Sequence, residues 1–295
     1  MIITKLIGGL GNQMFQYAAG RRAAYVNNTS LKLDITGYEN QVGITPRKYI
    51  LHIFNIKEDF ATKEEINKLK GENQGFLVLI YKKISKITKP YCQQPYVRQK
   101  YFHFDPNILK VSNDTYFDGL WQSEKYFSDI SNIIRREFTL KNNPNKINNR
   151  ILATIDGVNS VSLHIRRGDY VSNPIASQTL GVLSLDYYKT ALAFIAKKVK
   201  KAHVFVFSDD MSWAKKNLKT SLPIYFIDHN KENKVHEDLH LMSRCKHHVI
   251  ANSSFSWWGA WLSDNSQKIV IAPKRWFNNP NLNIRDLIPK DWINI

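Results

Sequence analysis

The chain has 295 residues, enough for one large domain or two ordinary ones, each able to bury a core. Its net charge of +17 is shared by both halves and raises the potential for polyanions, anionic membrane surfaces or phosphorylated substrates without choosing among them. The two cysteines, Cys92 and Cys245, lie far apart and in no paired motif. That argues against a disulfide framework or a Cys-based zinc site and fits a reducing compartment. No stretch approaches the roughly 18 to 20 apolar residues of a membrane span, and Gly11-Asn12-Gln13 interrupts what would be the apolar centre of a signal peptide.

Taken in order, residues 1 to 35 read as strand, glycine-rich loop, helix and strand. Ile2, Ile3 and Leu6 belong to the first strand and Gly8-Gly9-Leu10-Gly11-Asn12-Gln13 to the loop. An amphipathic helix is expected from Met14 to Tyr25, then a strand from Leu31 to Ile35. Glycines there let the backbone approach a phosphate or sugar. The spacing is not the dinucleotide fingerprint, because Met14 stands where the third glycine would be. Thr62-Lys63-Glu64-Glu65 has the form of a helix start with a capping box. The apolar run Phe76 to Tyr81, followed by Lys82, Lys83, Lys86 and Lys89, suits a solvated helix face or a basic segment on an anionic bilayer. Asp118 to Phe127 is rich in aromatics, which serve either as core or as a surface for a sugar ring. Residues 141 to 149, polar and broken by Pro144, form the best linker. They divide the chain into domains 1–148 and 149–295.

Beyond the linker, strands and helices alternate, the pattern of a parallel sheet. Val161, Leu163 and Ile165 alternate with Ser162 and His164 up to Arg166-Arg167-Gly168-Asp169. This is a strand delivering charge to the end of an open sheet where ligands bind, and an arginine fork bonds phosphate bidentately. A helix from about Leu185 to Lys201 and a buried strand His203 to Phe207 follow, ending at Ser208-Asp209-Asp210. Next come a helix near Trp213 to Leu218, a strand Ile224 to Ile227, a helix Val235 to Arg244 and a strand Val249 to Ala251. Asn252-Ser253-Ser254 then leads into an apolar helix, Phe255 to Leu262, with residues suited to capping and to phosphate. His236-Glu237-Asp238-Leu239-His240 matches the His-Glu-x-x-His pattern of zinc hydrolases. It lacks an obvious third ligand and sits on a crossover helix.

Several motifs now form a set: residues 8–17, residues 164–170, Phe207-Ser208-Asp209-Asp210 and residues 252–262, joined by residues 118–127 and 241–245. Together they resemble the α-1,2-fucosyltransferases of glycosyltransferase family 11, over nearly the whole chain, least informatively from Tyr38 to Tyr96. The resemblance implies an α/β fold of two Rossmann-like domains facing across a cleft, the GT-B type, with the acceptor mainly on the first and the GDP-sugar on the second. It implies GDP-fucose as donor, inversion at the anomeric carbon, a galactose-terminated glycan as acceptor through its 2-hydroxyl, and no metal or other cofactor. The chain lacks the Asp-x-Asp motif by which many other glycosyltransferases hold a divalent ion.

By the same resemblance Arg166 and Arg167 grip the diphosphate, with Gly11 and Asn12 reaching the same region. His164 and Asp209 face the guanine, with Asp210 in competition, and Ser253 and Ser254 donate to phosphate. Glu237 becomes scaffolding, and Trp257, Trp258 and Trp261 become core. Asp169 is the first candidate for the acceptor's base, although a carboxylate beside arginines usually orients them and has a depressed pKa. A mechanism in which the departing diphosphate takes the proton needs no such base. Bacterial members of this kind are cytoplasmic and decorate lipid-linked or surface-polysaccharide precursors, with peripheral contact to the inner membrane face. Nucleic acid is not an expected partner, since no binding module is recognisable. Another GDP-sugar, a nucleic-acid-binding protein and a zinc hydrolase are the competing readings.

Overall fold

Two α/β units make up the chain, Met1–Thr139 with Asn283–Leu287, and Leu140–Leu282 with Ile288–Ile295. The structure is a computed structural model that describes residues 1–39, 41, 45–72, 90–231 and 234–295. The apolar run at Phe76 and the lysines that follow it lie outside those residues.

The first unit is built on four parallel strands, β1 (Ile2–Lys5), β2 (Leu31–Asp34), β3 (Tyr96–Arg98) and β4 (Thr115–Asp118), in the order β2-β1-β4-β3. Ile2, Ile3, Tyr116 and Phe117 are all buried, as expected for strands covered on both faces. Helix α1 (Leu10–Val26) begins inside the expected glycine loop and is buried around most of its circumference, so it is not the amphipathic helix the spacing suggested. Its buried polar residues bind backbone that would otherwise lack partners. Gln13 Nε2 donates to Gly8 and Lys48 carbonyls at 3.0 and 2.8 Å, and Gln16 Oε1 accepts the Ile7 N–H at 3.0 Å. Helix α2 (Lys63–Lys70) carries the expected Thr62/Glu65 capping box and ends at Gly71, whose φ of +80° is the left-handed cap position. The short helix α3 (Ser131–Glu137) sends Glu137 to Arg21 and to the Tyr17 hydroxyl.

In the second unit six parallel strands run in the order β10-β9-β8-β5-β6-β7. They are β5 (Asn159–Ile165), β6 (Ala202–Ser208), β7 (Ile224–Ile227), β8 (His247–Val249), β9 (Val270–Ala272) and β10 (Ile293–Asn294). The period of two in β6 is visible in its packing. Val204 and Val206 meet Leu192 and Ile195 of one helix layer, while Phe205 and Phe207 meet Ile155, Leu241 and Met242 of the other. The change of unit falls at Leu140, ahead of the expected boundary at 148/149. Asn145 is the reason: its side chain caps Ile147 and Asn148 and starts helix α4 (Lys146–Gly157), so the second half of the expected linker is helix. Helices α5 (Gly168–Ser172), α6 (Pro174–Thr179), α7 (Leu185–Lys198), α8 (Met211–Asn217), α9 (Val235–Arg244) and α10 (Ser254–Leu262) complete the unit. Trp257, Trp258 and Trp261 are buried core, and Gly259 leaves only 2.9 Å between a notional Cβ and Met242 where α9 and α10 pack. No helix among the described residues is long and apolar enough to cross a membrane.

Candidate functional site

Within the second unit, adjacent strands β8, β5 and β6 deliver three of the sequence motifs to the carboxyl end of the sheet. Strand β5 ends in Arg166-Arg167-Gly168-Asp169, β6 in Ser208-Asp209-Asp210, and β8 leads through Asn252-Ser253 to the amino terminus of α10. The Tyr170 hydroxyl donates to the Asn252 carbonyl at 3.0 Å and ties the first of these loops to the third. An arginine pair and a helix amino terminus therefore share one end of a parallel sheet, where anions bind.

The arginines are tightly held. Arg166 meets Asp169 Oδ1 at 2.6 Å and Asp209 Oδ2 at 3.0 Å. Burial opposes its charge, but the two carboxylates outweigh this and raise its pKa. Arg167 meets Asp210 Oδ2 at 3.1 Å and lies 4.2 Å from the Trp213 ring, while its own N–H donates to Asp209 Oδ1 at 2.8 Å. A Cβ on Gly168 would stand 2.4 Å from Asp209 Oδ2, so a larger residue would push that carboxylate aside. Asp209, expected to face the guanine with Asp210 in competition, and Asp210 itself both bond to the arginine loop. Asp210 also caps α8 through the Trp213 N–H at 3.1 Å. His164 is buried beside Phe255, and burial together with Arg166 pushes its pKa down to about 3, so its ring is neutral. Its Nδ1 has no hydrogen-bond partner among the described residues. Ser253 is buried and makes no side-chain capping bond, so its place at the helix start rests on backbone.

Gly11 and Asn12 belong to the first unit, in the opening turn of α1. Asn12 Oδ1 accepts from Gln122 Nε2 at 2.8 Å, a partner that sequence reasoning missed. Gln122 follows Trp121, which is fully buried at φ +53°, a left-handed conformation rare for a bulky residue. Gln99 Oε1 holds that turn by accepting the Leu120 and Trp121 N–H groups at 2.7 and 3.2 Å. Trp121, Tyr126 and Phe127 are core, so of the two roles open to this aromatic stretch the packing one is realised.

The His-Glu-x-x-His stretch lies on α9, where Glu237 is engaged otherwise. Asn148 Nδ2 donates to Glu237 Oε2 at 2.9 Å, Asn148 Oδ1 meets His229 Nε2 at 2.7 Å, and Asn230 donates to Asp238 at 2.8 Å. No group of three or more His, Cys, Asp or Glu side chains among the described residues is gathered as for a metal ion. Asp238 is pushed up to about 7 by burial and by Glu237, against the Asn230 hydrogen bond. Between its ordinary value of 3.8 and about 7 the native state holds a proton that the unfolded chain has lost, so this group's contribution falls as pH rises. Asp238→Asn keeps the acceptor for Asn230 and removes the charge. The variant should unfold like wild type near pH 4 and be more stable by about 1–3 kcal/mol near pH 8, in urea titrations at both pH values. A difference independent of pH would refute the assignment.

The sequence profile described as glycosyl transferase family 11 matches residues 1–295. An Escherichia coli alpha-1,2-colitosyltransferase is 37% identical to this chain, covering 100% of it and 99% of the relative. The E. coli O-antigen biosynthesis glycosyltransferase WbnK is 35% identical, covering 98% and 99%. A galactoside alpha-(1,2)-fucosyltransferase 1 from Rattus norvegicus is 27% identical over 57% of this chain and 45% of its own length.

Proposed function

As the chain belongs to glycosyl transferase family 11, we propose that it transfers L-fucose from GDP-β-L-fucose to the 2-hydroxyl of a terminal β-galactoside, with inversion to an α-1,2 linkage. The observation that carries this reading is the convergence of Arg166, Arg167 and the amino terminus of α10 at the carboxyl ends of β5 and β8. The two arginines meet the diphosphate, and Ser253 and Ser254 present helix-start backbone to it. Gly11 and Asn12 are assigned to the donor by the motif they occupy. The acceptor oxygen bonds to the anomeric carbon as the bond from that carbon to the diphosphate oxygen breaks. The bonding pair leaves with GDP, and the hydroxyl proton passes to a diphosphate oxygen. Asp169, already bonded to Arg166, orients that arginine. The E. coli O-antigen biosynthesis relative supports a place in surface-polysaccharide assembly.

A second reading is favoured by the 37% identical colitosyltransferase. Colitose is fucose without its 3-hydroxyl, so the same diphosphate contacts serve both donors, and discrimination lies in contacts to that one hydroxyl. The test is a panel of β-galactosides incubated with GDP-fucose or GDP-colitose, with product linkage read by NMR. An α-1,2 fucoside supports the first reading and a colitoside alone supports the second. No transfer from either donor would refute both.

The diphosphate charge is assigned to arginine and backbone donors. Activity is therefore expected to be unchanged, within about two-fold, by EDTA. Complete loss with rescue by Mn²⁺ or Zn²⁺ would overturn this and return His236 and His240 to consideration.

A further inference from the structure

The first unit contains a cavity of about 270 Å³ lined in part by Tyr91, Lys100, Tyr101, His103, Asn107 and Arg285. Its size falls just below the roughly 300–1,000 Å³ of ordinary small-molecule pockets, which suits a single ring. Tyr101 and His103 stack on each other with centroids 5.1 Å apart and planes only 21° off parallel. Tyr101 is nevertheless 55% exposed, so a large aromatic face is left uncovered. The Tyr91 side chain lines the cavity, and its hydroxyl is buried without a hydrogen-bond partner among the described residues.

The charges around the cavity do not cancel. Asp286 binds Lys125, accepts the Phe104 N–H at 3.2 Å and takes Arg285 through Nε alone at 3.3 Å. This fixes the base of the Arg285 guanidinium while its side chain remains 64% exposed. Lys100 Nζ lies 3.7 Å from the centroid of the Tyr91 ring and adds a second cation. Asp105, the acid of the lining, caps the turn Pro106–Lys110 by accepting from Asn107 N and Nδ2, both at 3.0 Å. An aromatic platform, the Asn107 amide and an excess of cations thus border a space for one ring.

We propose that this cavity is a subsite for a sugar residue bearing an anionic group, part of the acceptor glycan, whose ring lies on the Tyr101–His103 surface and whose anion is met by Lys100 and Arg285. The acceptor assignment rests on the transferase reading above, whereas binding of the sugar itself does not. Aromatic faces take the apolar face of a sugar ring, hydroxyls bond to amides, and the guanidinium fork fits carboxylate or phosphate.

The experiment uses the full chain without donor and titrates methyl β-D-glucuronide, glucose 6-phosphate and methyl β-D-glucoside by calorimetry and saturation-transfer NMR. At least one anionic sugar should bind about ten-fold more tightly than the neutral glycoside, the worth of one charge-assisted hydrogen bond. The tighter of the two identifies carboxylate or phosphate as the better ligand. Arg285→Gln should abolish that preference, and Tyr101→Ala should weaken all ligands. Both side chains are exposed, and melting curves with GDP titrations check that the variants fold. Equal binding of neutral and anionic sugars, no binding, or wild-type binding by both variants would overturn the subsite. Failure of GDP to bind wild type would count against the transferase reading instead, which keeps the two failures apart.

Discussion

Arg166→Ala is expected to lose transfer activity by on the order of 10²- to 10³-fold, the usual consequence of deleting one preorganised electrostatic stabiliser of a leaving group. The loss has two sources. The guanidinium is removed, and Asp169 and Asp209, which it neutralises at 2.6 and 3.0 Å, are left facing an incoming diphosphate. Without the guanidinium their negative charges repel the donor as well as failing to hold it. The fold should survive, because the core beneath the loop is supplied by Val161, Leu163 and Ile165 rather than by the arginine. Arg166→Lys restores the charge without the fork and should recover only part of the loss. Measured turnover above about half of wild type in the alanine variant, with an unchanged melting curve, would show that the diphosphate is held elsewhere.

Alternation made the second unit legible in advance. The run ending at Ile165 has the alternation of a half-buried strand, although Ser162 and His164 are buried as well, and His203 to Phe207 is the continuous apolar run of a buried one, whose residues divide between two helix layers. The helix Val235–Arg244 and the strand Ile224–Ile227 were readable to the residue. Glycine misled at the amino terminus: Gly9 and Gly11 look like loop punctuation, yet α1 starts at Leu10 because Gln13 and Gln16 bind the neighbouring backbone. The polar stretch at 145–149 looked like a linker because asparagines favour turns, but Asn145 uses that same propensity to cap a helix.

Side-chain partners at long sequence separation were the illegible part. The carboxylates of Asp209 and Asp210 could be placed at the end of β6 from the pattern, but not their turn towards a loop more than forty residues earlier. The Gln122–Asn12 bond, the Tyr170–Asn252 bond and the hub at Asn148 are of the same kind. Each depends on strand order, which sets β1 beside β4 in the first unit and β5 between β6 and β8 in the second, and a single sequence gives no period or spacing for that. The family resemblance supplied the motif set without stating which member of a motif touches ligand and which one holds its neighbour.

Asp169 is where that difference decides the mechanism. Its Oδ1 accepts from Arg166 at 2.6 Å, and Arg166 also lies 5.3 Å from the Tyr170 ring, so the carboxylate is part of the frame that aims the guanidinium. A carboxylate oxygen already bonded to a guanidinium would have to give up that contact to take a proton from the acceptor hydroxyl. Asp169→Asn preserves shape and removes the charge, which separates the two roles. If Asp169 orients Arg166, GDP affinity should fall roughly three- to ten-fold, as one ion-paired contact is weakened. Turnover should fall with it, by on the order of 10²-fold, because a small misplacement of a clamp is costly in the transition state. If Asp169 is the base, GDP affinity should stay at the wild-type value while transfer is abolished, since an amide cannot take the proton. Calorimetric titration of GDP into the variant, beside its transfer rate to a β-galactoside, reads both quantities. The contact with Arg166 favours the joint loss, and that outcome leaves the departing diphosphate as the acceptor of the hydroxyl proton.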